Sequence, residues 1–222
     1  MEGGEAVAGG DAVTTHDYLM ARYPESDTKG VPIELRGGCR DDLPQMFVDI
    51  GFTRGAEVGV WRGEYSEKFL KAGLQMTVVD PWQAYSGYID HTKHHMIAGA
   101  YEDAMRRFAP YGDEVRVIRK FSHEAVADVP EGSLDFCYLD GNHSLFDVVR
   151  DLTLWSKKVR SGGIICGHDY KSFRQSVHIH VVEAVHAFTA AEGIAPWYVL
   201  GRRKRHTTEP GDTVRSFMWV NP

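Results

Sequence analysis

The sequence predicts an α/β fold, a mostly parallel, seven-stranded sheet with helices on both faces and an antiparallel hairpin at its C-terminal end. Three observations carry this prediction. Short apolar runs at 56–60, 76–80, 115–119, 134–140 and 163–167 are separated by helical stretches, the alternation that builds parallel strands joined by crossover helices. The first run breaks at Gly59 and Gly63, as a strand turning sharply into a helix requires. Two late runs, 197–200 and 214–220, are joined by a polar loop too short for a crossover helix, so they pair as a hairpin.

The elements follow in order. Residues 1–13, rich in Gly, Ala and acid, read as a disordered leader. Residues 14–51 read as a helical cap, with Asp41-Asp42 ahead of Leu43-Pro44 starting a helix that Gly51 closes. The sheet domain occupies 52–222. Within it, Val148, Leu152, Trp155 and Val159 form one helix face and Val177, Val181, Ala184, Val185 and Phe188 another, and both pack on the sheet.

Composition narrows the class. The 222 residues are 43% hydrophobic and 25% charged, which suits one domain with a sizeable core. A net charge of -6 opposes a nucleic-acid partner, because phosphate binding needs a basic surface, and Arg202-Arg203-Lys204-Arg205 reads as a solvated loop. Cys39, Cys137 and Cys166 lack metal spacing, and the last two fall in strands, so reduced buried thiols in a cytoplasmic protein are expected. No apolar run reaches the roughly 20 residues of a membrane helix, and the acidic start at Met1-Glu2 is not a signal peptide.

Chemistry concentrates at the predicted strand ends. In Glu57-x-Gly59-x-x-x-Gly63 the glycines let a ligand approach the backbone, and the following helix offers free N–H groups to an anion. Asp80, at the tip of the next strand, suits the two hydroxyls of a ribose. Trp61 stands where a dinucleotide site would need its second glycine, which disfavours NAD and an oxidoreductase.

Together with Val79-Asp80-Pro81-Trp82, Arg119-Lys120-Phe121-Ser122, Tyr138-Leu139-Asp140-Gly141-Asn142-His143, Asp151-Leu152 and Gly162-Gly163-Ile164-Ile165-Cys166-Gly167-His168-Asp169-Tyr170, the Glu57-Val58-Gly59 turn resembles the class I S-adenosylmethionine-dependent methyltransferases. The likeness spans about residues 52–190 and is nearest to the small-molecule branch of natural-product and sugar O-methyltransferases. It implies a Rossmann-like fold, S-adenosylmethionine as cofactor and a small-molecule acceptor, most readily a hydroxyl. By the resemblance Glu57, Gly59, Trp61, Gly63 and Ser66 line the methionine end of the cofactor, Asp80 holds the ribose, and Trp82, Phe121 and Ser122 surround the adenine.

Asp140 and His143 follow one strand and His168 and Asp169 the next, so a parallel sheet brings all four to the cofactor's edge. Methyl transfer requires an aligned acceptor and removal of its proton, for which His143 is the first choice and His168 the second. Asp140 then lies between cofactor and acceptor. A divalent metal, Mg²⁺ or a softer ion held by Asp140, His168 and Asp169, is the other reading. Tyr85, Tyr88 and His91 suggest a lid over the substrate or an ordinary surface insertion, His91 and His95 a helix face with metal spacing, and the cap a homodimer surface. A non-catalytic nucleoside-binding protein of the same fold is the remaining alternative.

Overall fold

Apolar residues alternate along the strands, and the two sets they define face two separate cores. The computed structural model describes residues 14–85, 96–171, 179–201 and 214–222. Its strands are β1 (Ile33–Leu35), β2 (Arg54–Val58), β3 (Gln75–Val79), β4 (Val115–Ile118), β5 (Leu134–Leu139), β6 (Val159–Gly167), β7 (Tyr198–Leu200) and β8 (Ser216–Val220). They form one sheet in the order β1-β7-β8-β6-β5-β2-β3-β4. From β6 to β4 all neighbours are parallel, while β8 runs antiparallel to both β6 and β7.

Around the sheet lie α1 (Thr15–Arg22), α2 (Leu43–Asp49), α3 (Glu64–Lys71), α4 (Ile97–Phe108), α5 (Ser122–Ala125), α6 (Leu145–Trp155) and α7 (Val181–Ala191). Residues of α1 to α4, including Leu19, Phe47, Phe69 and Ala104, meet Phe136 and Tyr138 of β5 in one core. Residues of α5 to α7, including Ala125, Leu152, Trp155 and Val185, meet Cys137 and Leu139 in the other. The period of two along β5 therefore gives each face its own apolar set, as a sheet covered on both sides demands. Gly55 belongs to this packing, because a Cβ there would lie 2.2 Å from the Phe136 ring.

The structure departs from the sequence reading in three places. The sheet has eight strands, not seven, because Ile33–Leu35 leaves the expected helical cap and pairs in parallel with β7. Three residues carry too little periodicity to announce a strand, and the partner lies more than 160 residues further along the chain. β6 begins at Val159, which therefore packs from a strand rather than from the end of a helix face. Its register against β5 shifts between Leu134 and Phe136, an irregularity that apolar runs do not reveal.

The leader, Tyr88 with His91, His94 and His95, Val177, and Arg202 to Arg205 lie outside the described residues. Among the described residues no helix is long and apolar enough to cross a membrane. On either side of the β2–β5 boundary the chain proceeds in opposite directions, through β3 and β4 on one side and β6 on the other. A crevice opens at such a switch point, beyond the C-terminal ends of the strands.

Candidate active site

A cavity of about 850 Å³ occupies that crevice, within the range of small-molecule sites. Its floor is the turn from β2 into α3. Gly59 adopts φ +89°, and a Cβ there would meet the backbone oxygen of Asp140 at 2.1 Å. Glycine is thus required by the close approach of the two strand ends. Trp61 takes a left-handed conformation too, at φ 53°, where a side chain is tolerated only if its surroundings hold it.

Asp80 supplies that hold. One oxygen of its carboxylate accepts the N–H groups of Val60 and Trp61 at 2.9 and 3.0 Å, and the other accepts the Trp82 N–H at 2.7 Å. The Trp82 indole N–H donates to the Trp61 carbonyl at 2.7 Å, and Trp82 itself is left-handed at φ 42°. Burial raises the Asp80 pKa, and the three N–H groups act against that rise. Trp82 is 4% exposed and packs edge-on against Tyr101, so it is a core residue that also borders the cavity.

At the methionine end expected from the resemblance, Glu57 is buried and accepts a hydrogen bond from Ser66. Burial, with the carboxylates of Asp140 and Asp80 adding to it, pushes its pKa up to about 8. Gly63 caps α3, and its neighbour across the turn is Phe108, 2.7 Å from where a Cβ would stand. At the opposite end Phe121 meets Tyr85 edge-on at 5.2 Å. The Ser122 hydroxyl donates to Asp151 at 2.6 Å and accepts from the Trp155 indole at 2.8 Å. Its single proton is therefore spent within the protein, leaving a lone pair for a ligand donor.

The four ionisable groups predicted to converge do so. The His143 Nε2 lies 3.1 Å from Asp169 and 3.4 Å from Asp140. Burial lowers its pKa, but the two carboxylates outweigh burial and leave it raised. The His168 Nδ1 stands 3.4 Å from Asp169 and 3.8 Å from Asp140, with the ring almost fully buried. Ligand atoms of Asp140, His143 and Asp169 all lie within 4.8 Å of one another, a spacing that fits a divalent cation. In this grouping His143 stands where the sequence reading had set His168. Asp169, at φ 54°, is the third left-handed non-glycine residue among those described, and all three border the cavity.

Among the lining residues to which the sequence assigned no site role are Arg40 and Asp151. Arg40 enters from the N-terminal segment and lies 3.6 Å from Asp140. Asp151, one of the residues on which the resemblance rests but with no role assigned to it there, lies beside Ser122 with its pKa pushed up to about 6 by burial.

Known proteins place the chain by family and by fold. A sequence family described as "Methyltransferase domain" matches residues 56–170, just over half of the chain. An uncharacterised protein of Acanthamoeba polyphaga mimivirus is 29% identical over 168 residues, 73% of this chain and 71% of that protein. In fold the chain is similar to the O-methyltransferase TomG of Streptomyces achromogenes, involved in tomaymycin synthesis and solved with S-adenosylmethionine. The TM-score is 0.59 and the identity 14%, over 97% of this chain and 92% of that one. It is similar as well to an O-methyltransferase of Bacillus cereus solved with S-adenosylhomocysteine, with TM-score 0.57 and identity 13% over 93% and 90% of the two chains. The matched segment runs from the glycine turn through the Asp140–His143 strand end to Tyr170, and on it this chain belongs to the methyltransferase-domain family.

Proposed function

We propose that the chain transfers the methyl group of S-adenosylmethionine to a hydroxyl oxygen of a small molecule, with His143 as the base. The observation that carries this reading is the position of His143, between Asp140 and Asp169 on the wall of a cavity floored by the glycine turn. The cavity suits the cofactor, with acids at one end for the ammonium of its amino-acid moiety and Phe121, Ser122 and Asp151 at the other for a base. The sulfonium supplies an activated methyl group, so the protein has to align the acceptor and take its proton.

Each side chain has a part in this. Asp140 and Asp169 fix the His143 ring and favour its protonated form, which makes the neutral imidazole a competent acceptor of the hydroxyl proton. Asp80 holds the cofactor turn in shape and borders the cavity where ribose hydroxyls would reach it. Ser66 donates to Glu57 at the methionine end, and Trp61 and Gly63 belong to the turn that follows it.

The reading predicts methyl transfer from labelled S-adenosylmethionine to members of a panel of phenolic and sugar hydroxyl acceptors. In His143→Gln, kcat should fall by about 10²–10⁴-fold while cofactor affinity is retained. Undiminished turnover in that variant would reject His143 as base.

The clustering of ligand atoms favours a second reading of the same site. Asp140, His143 and Asp169 would hold a divalent cation, which lowers the pKa of a bound acceptor hydroxyl, and His168 would then accept the proton. Chelation with EDTA separates the two. Activity lost on chelation and restored by Mg²⁺ selects the metal, and activity indifferent to it selects His143 as base.

A further inference from the structure

The loop that carries His143 is short, running from Asp140 just beyond β5 to Ser144, the N-cap of α6. Within it the bonds are local. The Asn142 side-chain oxygen accepts the Ser144 N–H at 3.0 Å, and the Ser144 hydroxyl oxygen accepts the Asp147 N–H at 3.2 Å. Such bonds close a turn and cap a helix, but they do not fix the turn against the rest of the sheet. Bonds from both banks of the crevice do that. On one side the His180 N–H at the start of α7 donates to the His143 carbonyl at 2.9 Å, and on the other the Asn142 side-chain amide donates to the Tyr85 hydroxyl at 3.1 Å.

Tyr85 belongs to the connection beyond β3, and β2 lies between β3 and β5 in the sheet. The Asn142–Tyr85 bond therefore crosses beyond the end of β2, where the glycine turn floors the cavity, and both residues line that cavity. Tyr85 is itself held in place. Its ring meets Phe121 edge-on at 5.2 Å, and the chain leading to it is rooted at Trp82, whose N–H is bound by Asp80 and whose indole donates to the Trp61 carbonyl. A phenol suits this duty, because its apolar body packs on one bank while its polar tip reaches the other. The turn clasped by Asp80, then Tyr85, Asn142 and His143 form one chain of contacts from the cavity floor to the base.

We propose that Tyr85 is a positioning residue for methyl transfer, bracing through Asn142 the loop that presents His143 to the acceptor. This rests on the reading of the cavity as a methyl-transfer site. It holds whether His143 takes the proton or ligates a cation, because the same loop carries it in both cases. Tyr85 touches none of the reacting atoms in this role. Misplacing a reacting group by about 1 Å can cost about 10²-fold in rate, so a bond that steadies the loop is felt in kcat.

Tyr85→Phe removes one oxygen and keeps the ring against Phe121, so it isolates the bond. With labelled S-adenosylmethionine and a phenolic or sugar acceptor that wild type methylates, kcat should fall by about threefold to tenfold. The acceptor KM and the affinity for S-adenosylhomocysteine should stay within about twofold of wild type. The double variant Tyr85→Phe/Asn142→Ala should be no slower than Asn142→Ala alone, because both changes act on one bond. In the free protein, amide hydrogen exchange at Ser144 should quicken in Tyr85→Phe while exchange in β5 is unchanged, a local loosening that a residue serving only the core would not produce. A raised KM with kcat intact would make Tyr85 an acceptor contact, and weakened S-adenosylhomocysteine with kcat intact would make it a cofactor contact. Additive losses in the double variant would make the two residues independent. Each of these overturns the bracing role, as does an unchanged kcat. Wild type that methylates no acceptor overturns instead the function on which the proposal rests.

Discussion

Glu57 shows how a single buried acid reports the state of the site. It is 2% exposed, accepts a hydrogen bond from Ser66, and has its pKa raised from 4.5 to about 8, chiefly by burial. Between those two values the folded protein keeps a proton that the unfolded chain has released. Stability of the free protein therefore falls as pH rises through that window and levels off above it. Glu57→Gln, which cannot titrate, should flatten the dependence of Tm on pH between about 4.5 and 8. Thermal unfolding of both proteins across that range checks it, and parallel profiles would contradict the burial argument. Glu57 and its glycines were legible in the sequence because they are neighbours in it. Arg40 was not, and Asp151 entered only through the resemblance with no role of its own, since both acquire their surroundings from distant elements.

The turn between β2 and α3 shows the same limit one scale up. Read alone, Trp61 in a glycine turn leaves the backbone path undetermined, because a bulky residue disfavours positive φ. The path is set from outside, by the Asp80 carboxylate at the end of β3 and by the Trp82 indole. From the sequence Asp80 has the expected role of a ribose ligand; its three backbone hydrogen bonds give it a structural duty. The two roles part company in Asp80→Ala. A residue serving the ribose alone would cost affinity and leave the free protein as stable as before. Loss of an acceptor for partly buried N–H groups should instead destabilise the free protein by about 1–3 kcal/mol, besides weakening S-adenosylhomocysteine. Urea unfolding without ligand measures the first effect and calorimetry the second.

At the scale of the molecule, the sheet's reversal between β2 and β5 decides where the cavity lies, and the two cores decide how firmly its walls are held. Phe136 is the clearest case. Its ring is fully buried, stands over Gly55, and lies 4.3 Å from Phe47 and 5.0 Å from Phe69 between centroids. These neighbours come from separate elements and cannot collapse together into the space it fills. Phe136→Ala should therefore cost about 3–5 kcal/mol of stability by denaturant unfolding. A loss below about 1 kcal/mol would mean that the core relaxes around the cavity. The sequence by itself determined the alternation of strands and helices, the antiparallel ending, the glycine turn and the gathering of Asp140, His143, His168 and Asp169 at one sheet edge. All of these follow from local periodicity or from the rule that parallel strands end on the same side. The tertiary structure alone decided that Ile33–Leu35 joins the sheet as an eighth strand, that Asp80 clasps the turn, that His143 rather than His168 groups most closely with the two acids, and that Arg40 faces Glu57. Those depend on which side chains meet across long separations, and the period of a sequence carries no record of such encounters.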